Sequence, residues 1–343
     1  MPQRPARTVL ALAAALALTG CMAGEGSGGA TAAAPGDDTV VVDWATYNPL
    51  SVVIKEKGWL EAALAEDGTA VEWVQSAGSN KANEALRAEA VDIGSTAGSA
   101  ALLARSNGSP IKVIDLYSQP EWSALVTTAG SGVQEVADLE GRTVAATKGT
   151  DPYFFLLQAL EEGGVDPADV TIQNLQHADG RSALQNGQVD AWSGLDPIMA
   201  AAEQDGAELF YRNVDFNTYG FLNAHEDFLE GQPEAAQTVV DVYAYARDWA
   251  VAHPEETARL LADAAGIELP VAQKVLERTH LDIDHVPGRE QLDVLGRVGP
   301  IFVDSGDVAG QQQIDDALSS IVEPAYAENA DASRVAGALE GTK

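Results

Sequence analysis

The chain has 343 residues, and its 52 acidic and 20 basic side chains give a formal net charge of −32 at pH 7. This charge excludes a nucleic-acid partner, because phosphates would be repelled. A hydrophobic fraction of 46% permits sizeable cores. The length exceeds the usual size of one compact core, so two lobes are expected.

The first twenty residues have the layout of a bacterial secretory signal. Arg4 and Arg7 precede an apolar run at 9–18, and Cys21 follows a Leu-Thr-Gly sequence, which resembles a lipobox. We therefore predict that the signal 1–20 is removed and that Cys21 becomes the lipidated first residue. An ordinary signal with an incidental cysteine is the alternative.

Cys21 is the only cysteine, so no intramolecular disulfide can form. Residues 21–38 are rich in Gly, Ala, Ser and Thr, a composition typical of a flexible tether. No later stretch approaches the ~18–20 uninterrupted apolar residues of a membrane span. We expect a soluble mature domain held at the membrane by its lipid.

From residue 39 onward, strand patterns alternate with helix patterns, which predicts two mainly parallel sheets flanked by helices. The β-branched run at 39–44 is typical of a buried strand. The first set is strand 39–44, helix 52–65, strand 71–74, helix 80–90, strand 91–94, helix 97–104 and strand 111–116. The second set is strands 124–128 and 142–146, helix 151–162, strand 170–175, helix 180–186, strand 189–192 and helix 197–204. Long helices follow at 232–253, 255–265 and 270–278.

This order predicts two α/β lobes with a ligand cleft between them. We place the chain crossings near Ser123 and Thr218. The predicted division is lobe 1 at 39–123 and 219–325, lobe 2 at 124–218, and a C-terminal tail at 326–343.

Five loops at predicted strand ends are rich in Gly, Ser, Thr and Asn: 47–49, 77–80, 94–99, 148–152 and 192–197. In open α/β sheets ligands bind beyond the carboxyl ends of the strands, where helix N-termini offer unpaired N–H groups to an oxyanion. Helix capping alone is the simpler explanation for any one of these loops. The polar candidates for ligand binding are Asn48, Ser79, Asn80, Ser95, Thr96, Gly149 and Thr150.

Three carboxylates and several aromatic side chains lie near the same loops. Glu121, Asp151 and Asp196 would favour a ligand with an amine if they faced the cleft, although the last two also suit helix N-caps. Aromatic rings suit an alkyl or aryl tail or a quaternary ammonium, with core packing as the alternative. The aromatic candidates are Tyr47, Trp122, Trp192 and Tyr219.

The segments 78–86, 136–145, 148–150 and 189–197 resemble the aliphatic sulfonate, taurine and nitrate binding proteins of ABC importers. The resemblance runs from about residue 39 to 253 and implies a type II periplasmic-binding-protein fold. It implies that an oxyanion meets Ser79, Asn80, Ser95, Thr96 and the Gly149 and Thr150 amides, with Trp192 and Asp196 on the opposite side. The segments 119–122 and 176–180 depart from the family pattern by adding a carboxylate, Glu121, and an imidazole, His177.

The sequence supports a catalytic or metal-binding role less strongly than a solute-binding role. His280, Asp282, Asp284 and His285 are zinc-ligand types, but alternation along a strand would split them between two faces. His177 and Asp179 have no accompanying nucleophile, so a cleft hydrogen bond is the preferred role of His177.

We therefore predict a lipid-anchored, extracytoplasmic solute-binding protein of an ABC importer. It is expected to be monomeric, to act without cofactor, metal or catalysis, and to bind a small organic oxyanion such as an aliphatic sulfonate or taurine. The alternatives are a cationic or zwitterionic amine or a pyrimidine as ligand, a ligand-sensing receptor without transport, or an enzyme.

Overall fold

The computed structural model describes residues 39–341, without the side chain of Pro120. The predicted signal, the Cys21 lipidation site and the tether at 21–38 lie outside the described residues. No helix within 39–341 has the length and apolar character needed to cross a membrane.

Three stretches of secondary structure follow one another along the chain. The first contains β1 (Thr39–Trp44), α1 (Pro49–Lys57), α2 (Trp59–Leu64), β2 (Ala70–Gln75), α3 (Ser79–Arg87), β3 (Ile93–Ala97), α4 (Gly98–Ser106) and β4 (Ile111–Pro120). The second contains β5 (Ser123–Thr128), β6 (Thr143–Ala146), α5 (Asp151–Glu162), β7 (Thr171–Asn174), α6 (His177–Gln185), β8 (Ala191–Leu195), α7 (Ile198–Gln204) and β9 (Ala207–Tyr211). The third contains β10 (Gly220–His225), α8 (Glu226–Gly231), α9 (Pro233–Ala252), α10 (Pro254–Ala265), α11 (Leu269–Arg278), β11 (Thr279–His280), α12 (Arg289–Asp304), α13 (Gln311–Leu318), α14 (Ala325–Glu328) and α15 (Ser333–Leu339).

The strands form two sheets, with the orders β11-β4-β10-β3-β1-β2 and β7-β6-β8-β5-β9. In the first sheet β1 pairs in parallel with β2 and β3, and in the second β6 pairs in parallel with β7 and β8. The strand that arrives from the other sheet is inserted antiparallel, β10 between β3 and β4 and β5 between β8 and β9. The predicted α/β class is confirmed. The sheets are mixed rather than mainly parallel as predicted, because the inserted strands β10 and β5 pair antiparallel on both sides.

Apolar residues at strand and helix spacing hold each sheet to its helices. Val40 and Val42 of β1 and Leu50 and Val53 of α1 are 0% exposed and share one core cluster. Burial of such side chains contributes roughly 1.5–3 kcal/mol each, so the core explains how a fold without disulfides holds together.

The structure departs from the predicted elements where local signals are weak. Gly58 adopts a left-handed conformation with φ of 65° and divides the predicted helix 52–65 into α1 and α2. The expected tail at 326–343 contains α15, which buries Val335 and Leu339 in the core beside α2 and α9. These two buried apolar residues tie the segment to the core.

The chain passes between the sheets twice, between β4 and β5 and between β9 and β10. Asn217 links the two crossings, because its Oδ1 accepts hydrogen bonds from the backbone N–H groups of Trp122, at 3.1 Å, and Ser123, at 2.8 Å. These crossings fall close to the predicted positions, and we propose them as the lobe boundaries.

Gly220 allows β10 to lie against Tyr117. A Cβ atom at position 220 would lie 2.4 Å from Tyr117 Cε2. We expect Gly220→Ala to lower the free energy of unfolding by about 1–3 kcal/mol, because a packed core must shift. Urea unfolding measures the change.

The control is Gly296→Ala in α12, where a Cβ meets nothing within 4 Å. Alanine favours a helix over glycine by roughly 0.5–1 kcal/mol, so this variant should be at least as stable as the wild type. Equal destabilisation by both substitutions would contradict the packing argument.

Candidate functional site

A small cavity lies where strand ends and helix starts of both sheets meet. The cavity volume is about 10 Å³. A cavity of roughly 10–15 Å³ holds one water molecule, so the walls must move apart before a small organic ligand can enter. Its lining residues are Tyr47, Ser79, Ala97, Tyr117, Trp122, Thr150, Asp151, Pro152 and Leu195.

Two helices from different sheets begin at this cavity. α3 starts at Ser79 and α5 starts at Asp151. The first N–H groups of a helix have no acceptor within it and carry partial positive charge. Among the described residues, no hydrogen bond uses the N–H of Ser79, Asn80 or Thr150. The cavity therefore offers unused donors from two directions.

The hydroxyl groups of Ser79 and Thr150 differ in what they can offer. Ser79 Oγ accepts a hydrogen bond from the Ala97 N–H at 2.9 Å, which leaves its own hydrogen available. Thr150 Oγ1 donates to the Thr147 carbonyl at 2.6 Å, so its hydrogen is already used. Ser79 can give a ligand both its hydroxyl and its N–H, whereas Thr150 gives its N–H.

Aromatic rings form one wall of the cavity and are held in place by hydrogen bonds. Tyr47 donates its hydroxyl to the Ser95 carbonyl at 2.9 Å. Tyr117 lies beside Trp122, with ring centroids 6.2 Å apart. Tyr117 is not predicted as a site residue, because the strand pattern ends at residue 116 and no loop motif includes Tyr117. Such rings suit the organic part of a ligand.

Asp151 is buried at the start of α5 and accepts four hydrogen bonds. They come from Ser99 Oγ at 2.5 Å, Trp122 Nε1 at 2.8 Å, the Thr218 N–H at 2.9 Å and Thr218 Oγ1 at 2.8 Å. Burial raises the pKa of Asp151 above its ordinary value, and these hydrogen bonds oppose the shift. The carboxylate joins α4, α5 and both crossings.

The other two predicted carboxylates also have protein partners. Glu121 Oε1 accepts from Arg212 Nε at 2.9 Å. Asp196 lies 3.3 Å from Arg278 Nη1 and accepts from the Ala200 N–H at 2.9 Å. Neither residue is among those that line the cavity. No carboxylate among the three predicted ones is left free for a cationic ligand.

Asn48, Ser95 and Thr96 form a buried network among β3, α1, β10 and α9. Asn48 Nδ2 donates to Ser95 Oγ at 2.8 Å and to the Tyr243 hydroxyl at 3.2 Å. Thr96 Oγ1 accepts from Asn223 Nδ2 at 2.8 Å. These three residues are 0% exposed and are not among the lining residues. The network reaches the cavity through Ser95, whose carbonyl accepts the hydrogen bond of the lining residue Tyr47.

The remaining predicted site residues lie around the cavity without lining it. Trp192 is fully buried against Gly180, where a Cβ would come within 2.8 Å of the indole. Gly149 has φ of 77° in the turn before α5, and a Cβ atom there would lie 3.6 Å from Asn80 Cβ. His177 is buried at the start of α6.

Tyr219 belongs to a different, larger surface groove of about 420 Å³. Its hydroxyl donates to Glu290 Oε1 at 2.5 Å, and Asp215 and Asp293 also line the groove. The three carboxylates outnumber the one cation that lines the groove, Arg297, and therefore repel an oxyanion, so we assign the site to the smaller cavity despite its size.

Asp43 lies in the buried network and is 0% exposed. Its Oδ1 accepts from the Ser95 N–H at 2.7 Å, and its Oδ2 is buried without a partner among the described residues. Desolvation raises the pKa of Asp43 to about 7. The folded protein therefore keeps a proton there that the unfolded chain releases, and stability from this group is lost as pH rises from about 4 to 7.

We expect Asp43→Asn, which imitates the neutral acid, to gain stability relative to the wild type across that window. The gain should reach about 1.4 kcal/mol per unit of pKa difference at the upper end. Urea unfolding at several pH values measures it, with the exposed Asp67→Asn as control. A difference that does not change with pH would contradict the assignment.

Comparison with known proteins identifies the family of the chain. The family model described as NMT1/THI5 like matches residues 50–257. A Bacillus subtilis protein named for binding aliphatic sulfonates is 30% identical over 238 residues, which cover 68% of this chain and 71% of that protein. The taurine-binding periplasmic protein of Escherichia coli is 26% identical over 262 residues, covering 72% of this chain and 79% of that protein.

Solved structures show the same fold. The alkanesulfonate-binding protein SsuA from Xanthomonas axonopodis pv. citri, bound to MOPS, has a TM-score of 0.74 and 22% identity, covering 85% of this chain and 99% of its own. SsuA from Escherichia coli has a TM-score of 0.71 and 24% identity, covering 84% and 92%. The desulfurization enzyme DSZB shares the fold at a TM-score of 0.63 and 14% identity, covering 85% and 98%. The chain therefore belongs to the NMT1/THI5-like family and has a periplasmic-binding-protein fold, as its cleft-edge motifs predicted.

Proposed function

We propose that this protein is the extracytoplasmic solute-binding component of an ABC importer and that it captures a small sulfonate in the cavity. The observation that carries the proposal is the pair of helix starts, α3 from one sheet and α5 from the other, that meet at one cavity. A sulfonate group has three oxygens and can accept hydrogen bonds from both directions at once. Relatives named for binding aliphatic sulfonates and taurine support this ligand class.

The donors suit an oxyanion without help from a cation. No lysine or arginine is among the lining residues. Partial charges at helix N-termini, of roughly half a unit each, stabilise anions in such sites. Ser79 adds a hydroxyl, while the rings of Tyr47, Tyr117 and Trp122 pack against the organic part.

Capture is expected to be mechanical rather than chemical. The cavity walls belong to both sheets, and only the two crossings connect these sheets along the chain. A hinge at the crossings would let the lobes, 39–123 with 219–325 and 124–218, separate and close around a ligand. Hydrogen-bond donors and aromatic rings around the cavity bind a solute without forming a covalent bond, so we assign no catalysis.

Membrane attachment and delivery complete the proposal. Lipidation at Cys21 would hold the protein at the outer face of the cell membrane, and the segment 21–38 would give it reach. The closed, loaded protein would act as a monomer and pass its solute to the importer's permease.

Ser79→Ala tests the anion site directly. We expect this change to weaken ethanesulfonate binding about ten-fold or more, because a buried hydrogen bond to a charged group is worth roughly 1.5–3 kcal/mol. Isothermal titration calorimetry measures the dissociation constant, and circular dichroism checks that the variant is folded.

The matched control is Ser182→Ala on the exposed side of α6, where Ser182 Oγ donates to the Ala178 carbonyl at 3.0 Å. It should bind ethanesulfonate like the wild type. Unchanged affinity in a folded Ser79→Ala protein would reject the assigned pocket.

A further inference from the structure

His177 carries a hydrogen-bond acceptor that has no partner among the described residues. Its Nδ1 lies 3.2 Å from Thr147 Oγ1, and the Thr147 hydroxyl donates to the Leu175 carbonyl at 2.7 Å. The Thr147 oxygen must therefore accept from Nδ1, which places the imidazole proton on Nδ1. Nε2 is left as a bare, buried acceptor.

Asn80 supplies a second unpaired acceptor. It lies in α3, which belongs to the first sheet, whereas His177 lies in α6, which belongs to the second. Its Oδ1 is buried and has no partner within the described part of the chain. A Cβ atom on Gly78 would lie 2.9 Å from Asn80 Oδ1 and 3.0 Å from His177 Nε2, so both atoms reach the same small region. Gly78 is next to Ser79, which lines the cavity. The two acceptors therefore lie beside the residue that precedes Ser79, one on α3 and one on α6.

An unpaired buried acceptor is costly, and a donor from a ligand would remove that cost. Burial lowers the pKa of His177 to about 4, so the imidazole stays neutral and cannot supply the missing proton itself. A ligand with an N–H or an O–H would supply a donor to these acceptors.

A neutral hydroxyl fits these acceptors better than an ammonium group. A buried ammonium needs a carboxylate partner to offset its lost hydration. Glu121 and Asp196 pair with arginines, and Asp151 is filled by four donors. Asp43 keeps one oxygen without a partner in the described residues, but it is not among those that line the cavity.

We propose that the site selects sulfonates whose organic part carries a hydroxyl group, and that His177 Nε2 is the specificity-determining acceptor with Asn80 Oδ1 beside it. This inference rests on the proposed function and narrows its ligand class. The sulfonate meets the donors of Ser79 and Thr150, while the hydroxyl meets the acceptors at the edge of the cavity.

Calorimetry with three sulfonates of equal chain length tests the proposal: ethanesulfonate, 2-hydroxyethanesulfonate and 2-aminoethanesulfonate. The wild type should bind the hydroxy compound about five-fold or more tightly than ethanesulfonate, as expected for one recovered hydrogen bond. His177→Phe keeps a ring but has no acceptor, and should bring the two affinities within about two-fold. His177→Gln keeps an acceptor and should retain the preference.

The control is His253→Phe. His253 is exposed at the end of α9, so this change should alter none of the three affinities. The ring-nitrogen resonances of 15N-labelled histidine can be followed by NMR in the wild type. This measurement needs no variant, so it does not depend on whether a variant folds. The His177 Nε2 resonance should shift with the hydroxy compound and not with ethanesulfonate.

Two results would overturn the inference while leaving the proposed function intact. One is equal binding of all three sulfonates by the wild type, and the other is tightest binding of the amino compound. Failure to bind any of the three would contradict the proposed function itself.

Discussion

The carboxylate of Asp151 holds together the parts of the molecule that build the cavity. Its four hydrogen bonds connect the start of α5 to α4, to Trp122 in the first crossing and to Thr218 in the second. In this conformation the start of α5, with its unpaired N–H group, is therefore held beside α4 and both crossings. A binding site shared between two sheets depends on such a link, because neither sheet alone surrounds the ligand.

A strongly acidic protein should repel an anion, so the proposed ligand needs an explanation. The explanation lies in the distances over which the surface charges and the cavity donors act. The net charge of −32 acts over the whole surface. Salt screens exposed charges beyond about 8–10 Å, whereas N–H dipoles inside a water-poor cavity act at contact distance. Local donors can thus bind a sulfonate in spite of the overall charge.

Sequence patterns predicted the parts of the site that follow from local rules. The bounds of β1 and α5 agree with the predicted 39–44 and 151–162, and Tyr47, Ser79, Trp122, Thr150 and Asp151 all line the cavity. Strand ends and helix starts have recognisable residues, and the α/β topology brings them to one edge. The family resemblance strengthened the same conclusion.

The roles of the other predicted residues depend on contacts with residues distant in the sequence. Local sequence patterns carry no information about such contacts. Glu121 and Asp196 lie in the expected loops, but Arg212 and Arg278, distant in the sequence, pair with them. Trp192 sits at a predicted strand end and faces the core instead. Tyr117 reaches the cavity from within β4, where no turn or glycine signals a site.

The most direct test of the central claim is a crystal structure of the protein with ethanesulfonate. We predict sulfonate oxygens within hydrogen-bonding distance of the backbone N–H groups of Ser79 and Thr150, with the ethyl group against Trp122. Sulfonate density in the groove beside Glu290, or in any place away from the starts of α3 and α5, would contradict the account.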